Sequence, residues 1–325
     1  MDYQRSTIDT VLHRTAPTLS FRAQPWIRFT NDSWIMFAPS IDIHQPDLVN
    51  KAAIRDDSDP MNVRLGNPNL RSSISTNYGL TYSKSNKKRN AANMLSLNYA
   101  PTFRAIAMGQ TYDRTTGIRT YRPDNINGNW EASMQHELNY NFTEHNHNLS
   151  VSSRLGYQHS VDLMGEEMPM RSVVRTLSFS INPKLKFAFG KHTLNFFTQV
   201  TMNRYTSHRA DFQNMTATNY RIGADAIVHL PWKLDLTTDL ALYGRRGYAD
   251  CLMNTDDVVW NARLSRPFAK GRLLVMLDGF DILGQLSNVT RTVNAQGRTE
   301  TWTNVMPRYV LAHVVWRLNK EPKKP

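Results

Sequence analysis

Long stretches of this chain alternate apolar and polar side chains with a period of two, and that period limits the folds open to it more than any other feature. From Leu177 one face reads Leu177, Phe179, Ile181, Pro183, Leu185, Phe187 and Phe189, while the other reads Ser178, Ser180, Asn182, Lys184 and Lys186. A helix would scatter these residues around its circumference, whereas a strand sends them to two sides. The pattern returns from Trp130 (Trp130, Ala132, Met134, His136, Leu138, Tyr140, Phe142) and from Tyr220 (Tyr220, Ile222, Ala224, Ala226, Val228, Leu230). It recurs at 19–29, 74–82, 149–157, 194–202, 234–242, 258–264 and 310–318. No segment shows a helical period of comparable strength, so the chain is all-β.

Strand length then selects among β architectures. Globular strands run about 5–6 residues, but a tilted strand crossing a bilayer needs about 9–11, and several runs here alternate for ten or more. The connections differ in length by turns. Short polar turns at 31–32, 85–90, 143–148, 190–192, 231–232 and 269–271 are separated by longer loops near 43–70, 159–170, 207–217, 247–256 and 284–305. Short turns at one end and long loops at the other are the pattern of a transmembrane antiparallel β-barrel of an outer membrane. Aromatics gather beside the short turns (Tyr140, Phe142, Phe187, Phe189, Trp232, Phe268, Trp316), as an interfacial girdle requires. A soluble β-sandwich is the competing reading. It accounts neither for the loop asymmetry nor for the charges strung along the second face of each long strand.

About thirteen strands are expected, at 17–29, 33–42, 70–84, 92–112, 116–142, 148–162, 171–189, 192–206, 218–231, 233–246, 256–267, 271–283 and 306–318. Residues 17–318 form the barrel, 1–16 an N-terminal extension or outer loop, and 319–325 a periplasmic tail. Bacterial single-chain barrels have even strand numbers, so an odd count is expected of an incomplete barrel. Residues 1–17 hold no apolar h-region and no small-residue cleavage site. As it stands the sequence carries no secretory signal, which conflicts with the strand pattern.

Charge fits the same picture. Thirty-nine Lys and Arg oppose 27 Asp and Glu, a net charge of +12, yet the basic residues are dispersed and alternate with apolar ones. Arg22, Arg28, Arg154, Lys184, Lys186, Arg221, Arg263 and Arg272 are expected to face a water-filled lumen. Glu131, Glu137, Asp225, Asp235, Asp239 and Asp278 are expected beside them, because a cation facing lipid at midplane costs about 2–4 kcal/mol. A nucleic-acid partner is therefore not expected. No stretch approaches the roughly 18 apolar residues of a spanning helix, and the single Cys251 excludes a disulfide framework.

Two segments carry motifs. The first, at 43–73, contains Asp59-Pro60 and Gly66-Asn67-Pro68-Asn69-Leu70. The second is RPDNINGNWEASMQHEL at 122–138, and shorter agreements lie at 279–285 (GFDILGQ) and 303–318. Together they resemble the large barrels of TonB-dependent receptors, the SusC-like and related outer-membrane family. The resemblance implies the later portion of a barrel of about 22 strands that takes up a scarce nutrient, with energy supplied by a TonB-type periplasmic partner. Such receptors also have a plug domain and a TonB-box segment, and this sequence departs from them in showing no plug-like domain. It implies a ligand (small molecule, glycan or peptide) bound by the long outer loops, outer-membrane lipid around the wall, and location in the outer membrane of a Gram-negative bacterium. A passive porin or a structural barrel is the alternative.

Enzymatic chemistry finds no support. His145 and His147 lie in an apparent turn with no third metal ligand. His136-Glu137 lacks the second His of a zincin and sits on opposite faces. There is no phosphate-binding glycine loop and no nucleophile elbow. No cofactor and no catalytic residue are expected.

Overall fold

The computed structural model describes residues 18–87, 90–142, 147–165, 168–209, 212–248, 251–285, 289–294, 297–302, 306 and 308–317. The expected extension (1–16), the tail (319–325) and His145 lie outside them. In chain order the strands are β1 (Ser20–Arg22), β2 (Trp26–Thr30), β3 (Ser33–His44), β4 (Arg55–Asp56), β5 (Asn62–Leu65), β6 (Ser73–Asn86), β7 (Ala91–Phe103), β8 (Ala105–Tyr112), β9 (Arg119–Ile126) and β10 (Asn129–Phe142). They continue as β11 (His147–Met164), β12 (Met170–Phe189), β13 (His192–Ser207), β14 (Met215–Leu230), β15 (Leu234–Arg246), β16 (Asp256–Phe268), β17 (Leu273–Phe280), β18 (Val289–Asn294), β19 (Gly297–Trp302) and β20 (Tyr309–Trp316).

One antiparallel wall dominates. β1 and β2 lie end to end along β3 as a single interrupted strand. From β3 the wall passes through β6, β7, β10, β11, β12, β13, β14, β15, β16 and β17 to β20. Counting β1 and β2 together, these are thirteen wall strands among the described residues, the number the alternation implies. Nothing described pairs with the outer edge of β1–β2 or of β20. Among the described residues no helix is long and apolar enough to cross a membrane.

Register fixes the faces, because residues paired directly across an antiparallel ladder point the same way. One face carries Phe37, Leu80, Leu97, Met134, Leu155 and Phe179 across successive strands. The other carries Asn98, Ser133, Gly156 and Ser178 at the same depth. Two belts of rings bound the apolar face. Toward the short turns, His147 lies 5.4 Å from both Phe187 and Phe189, with Tyr140 and Phe142 5.0 Å apart beside them. At the opposite end Tyr78, Tyr99, Trp130 and Tyr157 form a row with centroid spacings of 6.4, 5.9 and 5.2 Å. Ten residues of a strand tilted by roughly 45° separate Trp130 from Tyr140, or about 24 Å along the normal, close to the height of a barrel's lipid band. The lower belt is legible in the sequence; the upper one is scattered through strand interiors and becomes visible only once register aligns it. Polar groups on the apolar face are satisfied locally: Trp260 Nε1 donates to Thr238 Oγ1 at 2.9 Å, and Thr238 in turn to the Asn261 carbonyl at 2.9 Å. Lipid offers no alternative partner.

The strands expected at 92–112 and 116–142 each break in two. Arg104 (φ 51°) and Gly128 (φ 110°) adopt left-handed conformations that no strand continues through, and between them β8 and β9 form a hairpin that leaves the wall. The apolar residues Ala107 and Ile126 of this hairpin pack on Val161 rather than on lipid. The long loop expected at 159–170 shrinks to 165–169, because β11 and β12 continue above the membrane. At the short-turn end Trp232 and Lys233 (both φ 61°) and Ala269 and Lys270 (φ 49° and 56°) take the left-handed turn geometry that matches strand twist. Arg272, expected in the lumen, sits in the second of these turns, where its amide donates to the Ala269 carbonyl.

Candidate functional site: an outer knot above a charged wall

The 45–72 loop folds on itself because it contains two turns of the same design. Asp59-Pro60-Met61-Asn62 and Asn67-Pro68-Asn69-Leu70 each place Pro at the second position, where its fixed φ suits the turn, and an Asp or Asn at the first. In the first, Asn62 N donates to the Asp59 carbonyl at 3.0 Å, while Met61 N and Asn62 Nδ2 donate to the Asp59 carboxylate at 3.0 and 2.8 Å. In the second, Leu70 N donates to the Asn67 carbonyl at 3.1 Å and Asn69 N to Asn67 Oδ1 at 3.0 Å.

The second turn is buried where the first is exposed. Asn67 and Leu70 are 4% and 1% exposed, and Asn67 Nδ2 donates to the Pro123 carbonyl of β9 at 2.9 Å. β5 runs parallel to β9 beside this contact. The 122–138 motif supplies the other half of the joint. Asn125 accepts from Arg71 N at 2.7 Å and donates to the carbonyls of Arg71 and Arg104, both at 2.9 Å. Asn127 Oδ1 accepts from Arg104 N and Asn129 Oδ1 from Val161 N, each at 2.7 Å. The two motifs therefore interlock into one knot at the long-loop end. The third motif likewise satisfies free backbone. β17 stops early, and Ile282 N and Gln285 Oε1 bond Trp260 O and Val258 N on the β16 edge at 2.8 and 3.0 Å. Pro68 and Asn69 stay at the surface, and Pro60 heads an exposed turn. None of these motif residues gathers into a catalytic or metal-binding array; they close turns and pair backbone groups.

Hydrogen bonds to its carboxylate, first from the Asn62 side chain and then from Met61 N, hold Asp59 below the usual carboxylate pKa. A depressed folded pKa adds stability that is present above the unfolded value, about 3.9, and is lost as pH falls through the folded one. Protection of the Met61 amide from hydrogen exchange is therefore expected to fall on acidification below about pH 4, and Asp59→Asn to remove that dependence. Unchanged protection in the native protein down to about pH 2 would contradict the assignment.

Beneath the knot, the polar face of the wall carries the charges expected to point inward, with Arg272 the exception. Arg154 bonds Glu131 at 2.6 Å, Lys184 lies 3.9 Å from Asp225, and His229 bonds Asp235 at 2.6 Å. Asp278, nearly buried, receives Arg263 at 2.5 Å and His313 at 2.8 Å. Two open grooves indent this face. One, of about 350 Å³, includes Asp42, Asn77, Glu131 and Gln158. The other, of about 310 Å³, includes Asn219, Arg221, Tyr243, Arg245 and Asp257. Among the described residues no group of three or more His, Cys, Asp or Glu is placed to hold a metal. His136 faces outward and bonds Asn93 at 2.7 Å, while Glu137 faces inward and bonds Gln135 at 2.7 Å.

Residues 40–191, rather less than half of the chain, match the model of the outer membrane protein beta-barrel family. This stretch holds both halves of the knot and the strands from the last residues of β3 to the end of β12. This chain is an outer-membrane β-barrel protein. Its location is the outer membrane of a Gram-negative bacterium, with the long loops outward and the short turns toward the periplasm. No curated protein and no solved structure matches it.

Among the barrel's functional features, sequence reasoning missed the Asn125–Asn127–Asn129 triplet as a set. Its signal was present: three Asn at i, i+2 and i+4 around Gly128, where residues that bond backbone concentrate. The two grooves had no such signal, because each draws on four or more strands.

Proposed function

We propose that the barrel is the wall of a TonB-dependent, SusC-like uptake receptor and carries no enzymatic activity. The observation that supports this most directly is a thirteen-strand wall whose polar face carries charges on most of its strands and whose two outer edges are unpaired among the described residues. Lipid cannot solvate free strand edges, so further strands complete the wall, and a barrel wider than thirteen strands encloses an aqueous lumen. The knot holds the outer loops in place at the mouth of that lumen, where a small molecule, glycan or peptide first meets the protein. The motif resemblance supports energy coupling through a TonB-type partner at the periplasmic end; the dispersed charges give no support to a nucleic-acid partner.

Two measurements on protein taken from native outer membranes test the reading. A receptor is expected to migrate well above the 37.4 kDa of this chain, to crosslink to a TonB-type periplasmic domain in energised cells, and to give no steady conductance in planar bilayers. A 37.4 kDa species with steady conductance and no crosslink would make it a passive pore instead.

A further inference from the structure

The groove spanning β13 to β16 holds two arginines that form no salt bridge among the described residues. The Arg221 guanidinium lies 4.5 Å from the centre of the Phe197 ring and 5.2 Å from that of Tyr243. Its Nε is shut off from water and has no acceptor among the described residues. Arg245, paired with Asn219 across the ladder, forms no salt bridge among the described residues and meets only the longer-range charge of Asp257. The nearby inward acids are engaged elsewhere: Asp225 with Lys184 and Asn195, Asp239 with Asn261, and Asp278 with Arg263 and His313. Only Asp257, opposite Tyr243, brings a carboxylate into the groove. Two cations therefore face one anion in a space of about 310 Å³.

A guanidinium lying over two aromatic rings is held in place by cation–π attraction, and its remaining N–H groups form a fork suited to a planar oxyanion. Leaving such a group partly desolvated and unpaired is costly, and an incoming anion removes that cost. Tyr248, from the β15–β16 outer loop, bonds Asn219 Oδ1 at 3.0 Å and forms the outer lip. The other groove contrasts with this one, since its Glu131 is already paired with Arg154.

We propose that this groove binds a small organic anion, whose carboxylate or phosphate meets Arg221 and Arg245 while its apolar body lies against Tyr243 and Tyr248. Its purpose rests on the uptake reading, because an inward-facing anion site on this wall selects what descends the lumen.

Calorimetric titration of the full chain in detergent tests it with benzoate, phenyl phosphate and the neutral benzamide. At least one of the two anions is expected to bind at least about tenfold more tightly than benzamide, the scale of one charge-assisted hydrogen bond. The tighter anion identifies the preferred head group. Arg221→Gln and Arg245→Gln should each cost about tenfold on the same scale. Arg22→Gln, an inward charge on β1 outside this groove, should cost nothing. Benzamide binding as well as both anions in the native protein overturns the proposal without recourse to any variant. Equal losses from Arg22→Gln and Arg221→Gln overturn it too, because bulk lumenal charge would then explain the binding. Binding is read here without transport. Anion binding in a protein that conducts steadily would keep the groove and discard the receptor, and a coupled receptor indifferent to charge would do the reverse.

Discussion

Leu97→Arg is expected to destabilise the membrane-folded protein by about 2–4 kcal/mol, while Asn98→Arg, its neighbour on the same strand, changes stability by less than about 1 kcal/mol. Both residues sit at the middle of β7, at one depth and on opposite faces. Leu97 lies opposite Leu80 and Met134 and is 42% exposed without lipid, so in the membrane it meets acyl chains. An arginine there must snorkel about half the lipid band or carry its charge into hydrocarbon. Asn98 lies opposite Gly79 and Ser133, one ladder step from Glu131, where a cation finds both water and a carboxylate. Urea unfolding of protein folded in phospholipid vesicles measures the difference. Equal costs would mean that the two faces meet the same medium, as in a soluble sandwich, and the assignment of lipid and lumen would fail.

The faces were legible because a period of two is a local property, written residue by residue in runs such as Leu177–Phe189. Membrane selection sharpened it, since an inward Lys184 and an outward Leu185 cannot exchange places at low cost. The break at Arg104 was not legible. The apolar run Ala105–Met108 continues straight on from β7 in sequence, and only pairing with β9 reveals that the chain has left the wall. The grooves were hidden for a related reason. Gln199, Arg221, Tyr243 and Asp257 form one row across four strands, yet they are 58 residues apart in the chain and meet only through register. The motif at 59–70 was visible as a motif and its turn residues were informative. What it touches, the Pro123 carbonyl on β9, follows from tertiary structure alone.

Gly66→Ala should open the outer knot while leaving the wall intact. A Cβ at Gly66 would stand 1.6 Å from the Ala52 carbonyl oxygen and 2.8 Å from its carbon. Both are backbone atoms, so no side chain can swing aside to make room. The loop has to separate from the 48–54 turn, which removes the bonds from Gly66 N to Ile54 O (3.0 Å) and from Asn67 N to Asn50 O (2.8 Å). Asn67 then loses its Pro123 acceptor, and Val63 and Leu70, each 1% exposed, meet water. Exposing two such side chains costs about 3–6 kcal/mol in the limit of full exposure, and an orphaned buried amide adds about 1–3 kcal/mol. These sums exceed what a surface loop held by the single helical turn Leu48–Lys51 can absorb, so local opening is the expected outcome. Hydrogen exchange should show protection collapsing at 50–70 and in β9 while β10 to β16 keep theirs. Pro68→Ala offers a contrast: it keeps every hydrogen bond of the turn and should cost only about 0.4–1 kcal/mol through the unfolded chain. If Gly66→Ala leaves protection at 50–70 unchanged, the close contact with Ala52 is not what holds the knot. The asparagine joints at 67 and 125 would then have to hold it alone, and Asn125→Ala would become the substitution that opens it.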